Sequence, residues 1–410
     1  MSHVLIVGRS FSGLKTYLAQ NGHDYTVLQD ELTTKFPNKK FKNRVVISFA
    51  SKAQVLASLD TLKKPIDAVI CTYENYILPA SWITNVLNLP GISTKAAEAC
   101  TDKELMRQLF NAAPEQISPD FKAIKSKEEL LAFAQSHAFP LILKPANLAK
   151  SLLVTKNDSV EELIENYDKA IDLLQTTYAK YAPNREPKLI IEEFLEGTIH
   201  SVDAFVDAKG VPHILEQIVD YQTGYDIGFD DNFHYSRVLP SSLPSDDKTA
   251  LRHVAKLGCE ALGITSSPAH IEIILTKSGP RIVEIGARNG GYRERMHSFA
   301  NGIDITGNHL ALALGNQPAI VASKDNACAV LELFPKTGGS FQGIKNYDTL
   351  TRLPSLQYVS VKAKLKTHVG KSADGYKMCA VVIIGSSDFT QFNKDLEYIR
   401  SNVSVQTDEL

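Results

Sequence analysis

Apolar and polar positions follow two rhythms along the chain. Through the first hundred residues, short apolar runs alternate with helix-length segments. HVLIV (3–7), TVL (26–28), VVIS (45–48) and DAVICT (67–72) read as strands, and 14–20 and 52–62 as helices. Strand and helix in this alternation predict a parallel sheet covered by helices. The turn Gly8-Arg9-Ser10-Phe11-Ser12-Gly13 lacks the G-x-G-x-x-G spacing, so it reads as a tight strand-to-helix turn, not a dinucleotide cradle. Pro90-Gly91 breaks the chain. A helix is expected to start at Thr101-Asp102-Lys103-Glu104, where Thr101 and Glu104 are spaced as a capping box.

From about 115 the second rhythm sets in. Helices at 127–137 and 159–177 flank the apolar run PLILKPAN (140–147). Strands then dominate: KLIIEEFLEG (188–197), HSVDAFVD (200–207) and HILEQIVDY (213–221). A polar, aromatic loop at 222–236 carries Tyr225 and Tyr235, suited to cover a pocket. The helix 247–262 gathers Leu251, Val254, Leu257, Gly258 and Ala261 on one face. AHIEIIL (269–275) and IVEIGARNGG (282–291) follow as strands. A tail with AVLELF, YVSVKAKL, CAVVIIG and a helix near 389–401 reads as a small α+β unit.

Composition narrows the partners. A chain of 410 residues suggests several domains, and its net charge of −2 with only short basic runs argues against nucleic acid or an anionic membrane surface. Five cysteines without a C-x-x-C pair read as small buried apolar residues in a reducing cytoplasm, not a zinc site or disulfide framework. MSHVLIVGRS reads as a first strand and not a signal peptide. No run approaches the roughly 20 apolar residues of a membrane span.

The candidate chemistry sits where charge interrupts apolar strands. Glu272 and Glu284 each lie between apolar neighbours. If their strands pair, the two like charges need a cation between them, and magnesium, which takes hard oxygen ligands, suits that place. Arg288 and Gly290-Gly291 follow at once, a combination suited to an anion approaching the backbone. Lys144 follows Leu141-Ile142-Leu143, where a lysine either meets an anion or guards a sheet edge. Lys103 opposes the dipole of the helix it begins. The backbone of IIEEFLEG (190–197) could hold an adenine edge, with Phe194 or Leu195 on the ring. His270 shares a strand face with Glu272. Arg293 and Arg295 either hold a substrate carboxylate or make surface salt bridges.

The order Lys103, Lys144, 190–197, Glu272, Glu284, Arg288 resembles the ATP-grasp superfamily, and within it the carboxylate–amine ligases that join amino acids. LILKPANLAKS, IIEEFLEGTIHSVD and HIEIIL…IVEIGARNGG carry the resemblance over about residues 1–320. The tail is similar to the small closing domain of those ligases. The resemblance implies an α/β and α+β multidomain chain with the ATP-grasp fold. A Rossmann-like parallel-sheet domain would span 1–100, and a small (lid) subdomain with its connecting helix 101–190. A large subdomain with the metal site would span 191–324, and a closing α+β domain 325–410. It implies ATP and Mg2+, or Mn2+, as cofactors. Lys103 and Lys144 would contact phosphates, with the glycine-free loop 146–151, including Ser151, over them. The backbone of Glu192, Glu193, Phe194 and Leu195 would hold adenine. Glu272 and Glu284 would hold metal, and Arg288 the phosphoryl group in transit.

Two positions depart from the family pattern. Ile199 stands where an acid usually holds the ribose, which leaves that contact to Glu192, Glu193 or His200. Gly286 stands where an asparagine often ligates metal, which leaves Asn289 as the substitute. The implied activity is amide formation between a small carboxylate and an amine through an acyl phosphate, in the cytoplasm and as a homodimer, with His270, Arg293 and Arg295 toward substrate. A purine-pathway-type ligase, a kinase or a degenerate ATP sensor are the alternatives.

Overall fold

The structure, a computed structural model, describes residues 1–9, 12–34, 43–148, 152–182 and 185–408. It opens with four parallel strands, β1 (His3–Val7), β2 (Asp24–Asp30), β3 (Arg44–Ile47) and β4 (Ala68–Cys71), in the order β3-β2-β1-β4. HVLIV is a continuous apolar run because β1 is covered on both faces. Leu5 and Val7 pack toward Ile77 and Ile83, while Val4 and Ile6 pack toward Leu14, Leu18 and Leu310.

A second sheet holds β5 (Phe121–Ile124), β6 (Leu141–Pro145), β7 (Thr155–Asn157) and β8 (Leu189–Glu193), antiparallel in the order β5-β8-β6-β7. The helices Lys127–Ser136 and Val160–Tyr181 cover it through Leu130, Phe133, Leu163 and Tyr167. Serine caps begin both helices: Ser126 and Ser159 accept from the amides of Glu129 and Glu162.

The largest sheet has nine strands: β9 (Gly197–Val206), β10 (Pro212–Ile214), β11 (Val219–Thr223), β12 (His234–Leu239), β13 (Ser267–Thr276), β14 (Gly279–Gly286), β15 (Ala327–Leu333), β17 (Leu356–Val361) and β19 (Ala380–Ser386). Their order is β14-β13-β9-β11-β12-β15-β19-β17, with β10 on β9. The sequence pattern sets the tail apart as a unit, yet β15 pairs with β12 and carries β19 and β17 with it. Only β16 (Gly339–Ile344), β18 (His368–Val369) and β20 (Val405–Asp408) form a sheet of their own.

Two local expectations change. The helix Lys103–Phe110 is capped by Asp102, which accepts from the amides of Glu104 and Leu105. Thr101 instead bonds back to the carbonyls of Ala97 and Glu98, and Glu104 pairs with Lys188, so no capping box forms. Tyr235 is buried with Phe233 and Phe334 in the core of the tail and covers nothing, while Tyr225 is exposed. The five cysteines are free and buried. Among the described residues, no helix is long and apolar enough to cross a membrane.

Candidate active site

Across the edge of the large sheet, β13 and β14 pair antiparallel and set Glu272 directly opposite Glu284. The register shifts between Glu272 and Ile273, a bulge of the kind that re-aims side chains. Strand alternation sends Ile271 and Ile273 into the core and His270 and Glu272 to the other face. The two carboxylates retain 30% and 23% side-chain exposure, so neither lies on an open outer face.

Cations from other elements converge on this pair. Lys103, at the start of its helix, places Nζ 3.0 Å from Glu284 Oε2. Its awkward position against the helix dipole is thus offset by a tertiary partner. Arg288 turns back toward the parallel sheet, where Nη2 donates to Glu74 Oε2 at 3.1 Å. Glu74 lies in the single turn Glu74–Tyr76 just beyond β4. Nothing in TYENYI marks it in the sequence.

The charges sustain one another. Burial pushes the Glu284 carboxyl up, but Lys103 beside it holds it below its ordinary value. Burial likewise opposes ionisation of Glu272, and a hydrogen bond from His270 outweighs it, holding this carboxyl well below the usual range. Glu74 moves the other way: burial raises it, and the charge of Glu284 adds to the rise. Burial alone would lower Lys103, but Glu284 and Glu74 outweigh it and hold the ammonium above its ordinary value.

A second group joins the sheet β5-β8-β6-β7 to this edge. Lys144 Nζ lies 2.6 Å from Glu192 Oε2. Arg107, wholly buried on the helix of Lys103, donates from Nε to Glu192 Oε1 at 2.9 Å and from Nη2 to the Val283 carbonyl at 2.8 Å. Its Nη1 is buried without an acceptor. Burial, against the pull of Glu192, lowers Lys144 to about 8. The Glu192 carboxylate is therefore committed between two cations and is not free for a ribose.

Of the other two ribose substitutes, His200 is held by Thr198 Oγ1 at 2.7 Å and Asp220 Oδ1 at 2.8 Å. Glu193 accepts from the Asp120 amide at 3.2 Å. Ile199 packs into an apolar cluster. Phe194 is exposed, with Lys156 Nζ 5.1 Å from its ring centre, and both line a cavity of about 500 Å³ with Pro140 and Glu193. Leu195 is half-buried beside it. Ser151 lies outside the described residues.

Beneath Glu272 runs a buried chain of charges. Nδ1 of His270 is 2.7 Å from Asp203 Oδ1, and its Nε2 is 3.5 Å from Glu272 Oε1. Burial would lower His270, but Asp203 raises it to about 9. Arg293 donates to Asp203 Oδ2 at 2.8 Å, to Ser201 Oγ at 2.7 Å and to the Tyr221 hydroxyl. At 1% side-chain exposure it makes no surface salt bridge, and its donors are turned to these partners. Arg293 and Arg295 do not alternate as on a strand. They begin the helix Arg293–Ala300, where two positions apart are about 200° apart, so Arg295 is exposed, its guanidinium 4.6 Å from the Tyr358 ring centre. Gly290 serves close packing: a Cβ there would lie 2.5 Å from His270 Nδ1. Asn289 Nδ2 lies 3.3 Å from His309 Nδ1.

The donor set fits a hard divalent cation. Glu272 and Glu284 are adjacent, ionised and oxygen-bearing, but no group of three or more His, Cys, Asp or Glu among the described residues is arranged as a metal centre. A cation that completes its shell with water and phosphate oxygens needs no third side chain, as is usual for Mg2+.

Residues 137–294 match the family model described as "ATP-grasp domain". The chain carries an ATP-grasp domain. Its likeness extends to the carboxylate–amine ligase branch. Over 240 residues it is 30% identical to alanine–anticapsin ligase of Bacillus subtilis, covering 55% of this chain and 49% of that one. The chain thus matches about half the length of that relative. The solved L-amino acid ligase from Bacillus licheniformis superposes with a TM-score of 0.83 at 17% identity, covering 100% and 99% of the two chains. Phosphoribosylglycinamide synthetase from Anaerococcus prevotii superposes at 0.71, also at 17% identity, covering 99% and 100%. At such identities these superpositions show the ATP-grasp fold alone.

Proposed function

We propose that the protein is an ATP-dependent carboxylate–amine ligase acting on amino-acid-type substrates through an acyl phosphate. The observation that carries this reading is the convergence of Lys103, Arg288, Glu272 and Glu284 on one edge, beside the Lys144–Glu192–Arg107 group. A carboxylate is a poor acyl donor until phosphorylated. Its oxygen attacks the γ-phosphorus of ATP, the bond to the bridging oxygen breaks, and ADP leaves. The amine nitrogen then attacks the acyl carbon, phosphate departs, and the nitrogen loses a proton to solvent.

Each residue has a role in this scheme. Lys103 and Lys144 oppose the charge of the phosphates. Arg288, exchanging its contact with Glu74 for an anion, steadies the phosphoryl group. The backbone at Glu192–Leu195, next to the cavity walled by Phe194, takes the base. Glu272 and Glu284 would hold Mg2+, which supplies positive charge beside the phosphate oxygens. Catalysis is then positioning and electrostatics. The lid sheet excludes water from an intermediate that hydrolyses.

The test is incubation with ATP, Mg2+ and pools of L-amino acids, reading ADP release and new masses. An amide product supports the reading. A phosphorylated product without an amide indicates a kinase, and ATP binding without turnover a sensor; either result overturns it.

Two further outcomes are expected. Affinity for ATP should fall as pH rises through about 8, because Lys144 in the nucleotide-free protein loses its charge there. The sign for stability is opposite. With a lowered folded value, the cost of the buried ammonium is fully present below 8 and is relieved between 8 and the ordinary lysine value of 10.5. Calorimetric titrations at pH 7 and 9 should show the affinity loss, and Lys144→Arg should abolish the pH dependence. Asp203→Asn should raise the Mg2+ concentration needed for half-maximal turnover about 10- to 100-fold, since groups that orient a metal carboxylate act on this scale. A Mg2+ titration that is unchanged in the variant would show that His270 does not set Glu272.

A further inference from the structure

Three strands away from Glu272 the site face carries a second charged group. On β12, Arg237 lies in a strand whose neighbour β15 is buried along its whole length, yet β15 holds Glu332. Arg237 Nη1 is 3.5 Å from Glu332 Oε2 and donates to the His234 carbonyl at 3.4 Å. Both contacts are long, and no other hydrogen bond is made by its guanidinium among the described residues. Two aromatic rings box it: the guanidinium carbon is 5.6 Å from the Tyr221 ring centre and 5.3 Å from that of Tyr292.

The box is held with some strain. Tyr292 has φ 63°, in the left-handed region, and its hydroxyl donates to Glu332 Oε1 at 2.7 Å. A non-glycine residue kept there costs on the order of 1 kcal/mol or more and persists where its surroundings demand it. Tyr292 directly precedes the helix of Arg293, so the strained residue links the Asp203 network to the box. At the other side of Tyr221, the extra residue on β12 between the Gln222–Ser236 and Thr223–His234 pairings re-aims His234 against that ring, at 4.8 Å. Burial lowers His234 to about 4, so it stands neutral near Glu272 at pH 7.

We propose that Arg237 receives the carboxylate of the amine substrate, so that the acceptor is an amino acid and not a plain amine; this rests on the ligase reading above. The position fits. With β9 and β11 between β13 and β12, the strands of Glu272 and Arg237 stand about 14 Å apart, at roughly 4.8 Å per strand. Two residues of extended chain span about 7 Å, and the arms of Glu272 and Arg237 take up the remainder. A phosphorylated acyl group at the Glu272–Glu284 end would then lie beside an amino group whose carboxylate reaches Arg237. The fork of a guanidinium presents paired N–H groups to such a carboxylate. Glu332, freed from Arg237, keeps the Tyr292 hydroxyl. Arg293 cannot serve, because its donors are already engaged, and Arg295 points away from the site.

The test is binding, so that it does not depend on turnover. The full chain, saturated with Mg2+ and a non-hydrolysable ATP analogue, is titrated calorimetrically with each of the common L-amino acids and with their C-terminal amides. Wild type should bind one or more free acids at least about 30-fold more tightly than the matching amides, the loss expected for an unpaired charge-assisted site. Arg237→Met should erase that difference, Arg237→Lys should keep part of it, and Glu332→Gln should preserve or increase it. Equal binding of acids and amides, no binding of any acid, or equal losses in Glu332→Gln and Arg237→Met would overturn the assignment. Acid-selective binding that depends on Arg237 but without amide formation would refute the ligase reading, and with it the amine-acceptor role, while keeping Arg237 as a carboxylate-binding residue.

Discussion

Glu284→Gln is expected to lower ATP-dependent turnover by roughly 1000-fold or more, the scale of losing a preorganised charge at a transferring group. The substitution keeps the size of the side chain and removes one negative charge. Three consequences follow from the geometry. Lys103 loses the partner 3.0 Å away that offsets its burial. The pair facing Glu272 loses half of its hard oxygen charge, which weakens any divalent cation between them. Glu74, raised by burial and then by Glu284, ionises more readily and holds Arg288 more firmly. All three act at the phosphoryl end. Lys144 and the strand β8 are untouched, so affinity for ATP should stay within about tenfold of wild type. Steady-state turnover and nucleotide titration on the same preparation separate the two. If turnover survives within about tenfold, Glu284 does not have the role assigned to it.

The largest effect on stability should come from Glu192→Gln. Glu192 is buried between Arg107 and Lys144 and ties β8 to the helix Lys103–Phe110. Removing its charge leaves two buried cations without their shared partner, a change that costs roughly 3–5 kcal/mol in comparable buried pairs. The melting temperature should fall by about 5 °C or more. Replacing all three side chains together, as Arg107→Met, Lys144→Met and Glu192→Leu, should recover much of that loss, because no uncompensated charge then remains. A triple variant less stable than the single one would mean that the ion group stabilises in its own right. The acid limb supplies a second readout. The flanking cations outweigh burial and hold the Glu192 carboxyl below its ordinary 4.5. Its contribution is therefore present above that value and lost as pH falls through the lowered one. Wild type should lose stability in that window more steeply than Glu192→Gln.

Local pattern carried much of the architecture. The alternation at 3–7, 26–28, 45–48 and 67–72 implies the parallel sheet because short apolar runs recur at crossover spacing, and the strands β1 and β4 that it marks are buried along their whole length. Glu272 and Glu284 could be singled out because a carboxylate between apolar neighbours in a strand is conspicuous. Period two places His270 with Glu272 for the same reason. Phe194, at the end of an apolar strand, was conspicuous as well, and it lines a cavity.

The rest depended on contacts between segments far apart in the chain. Glu74, Arg107, Asp203, Arg237 and Glu332 lie in stretches whose local spacing is ordinary. Their meaning arises only when Glu74 meets Arg288 across 214 residues, Arg107 meets Glu192 across 85, and Asp203 meets Arg293 across 90. The capping box at Thr101 failed because Asp102, one residue on, offered the nearer acceptor. Arg293 and Arg295 share a residue type and a neighbourhood, yet one is enclosed by Asp203 and Tyr221 and the other lies over Tyr358, since a helix and not a strand carries them. Periodicity and composition act within a few residues, so they specify elements and unusual positions. The charge of each buried group is set by partners brought together through sheet pairing, and that is a property of the folded chain.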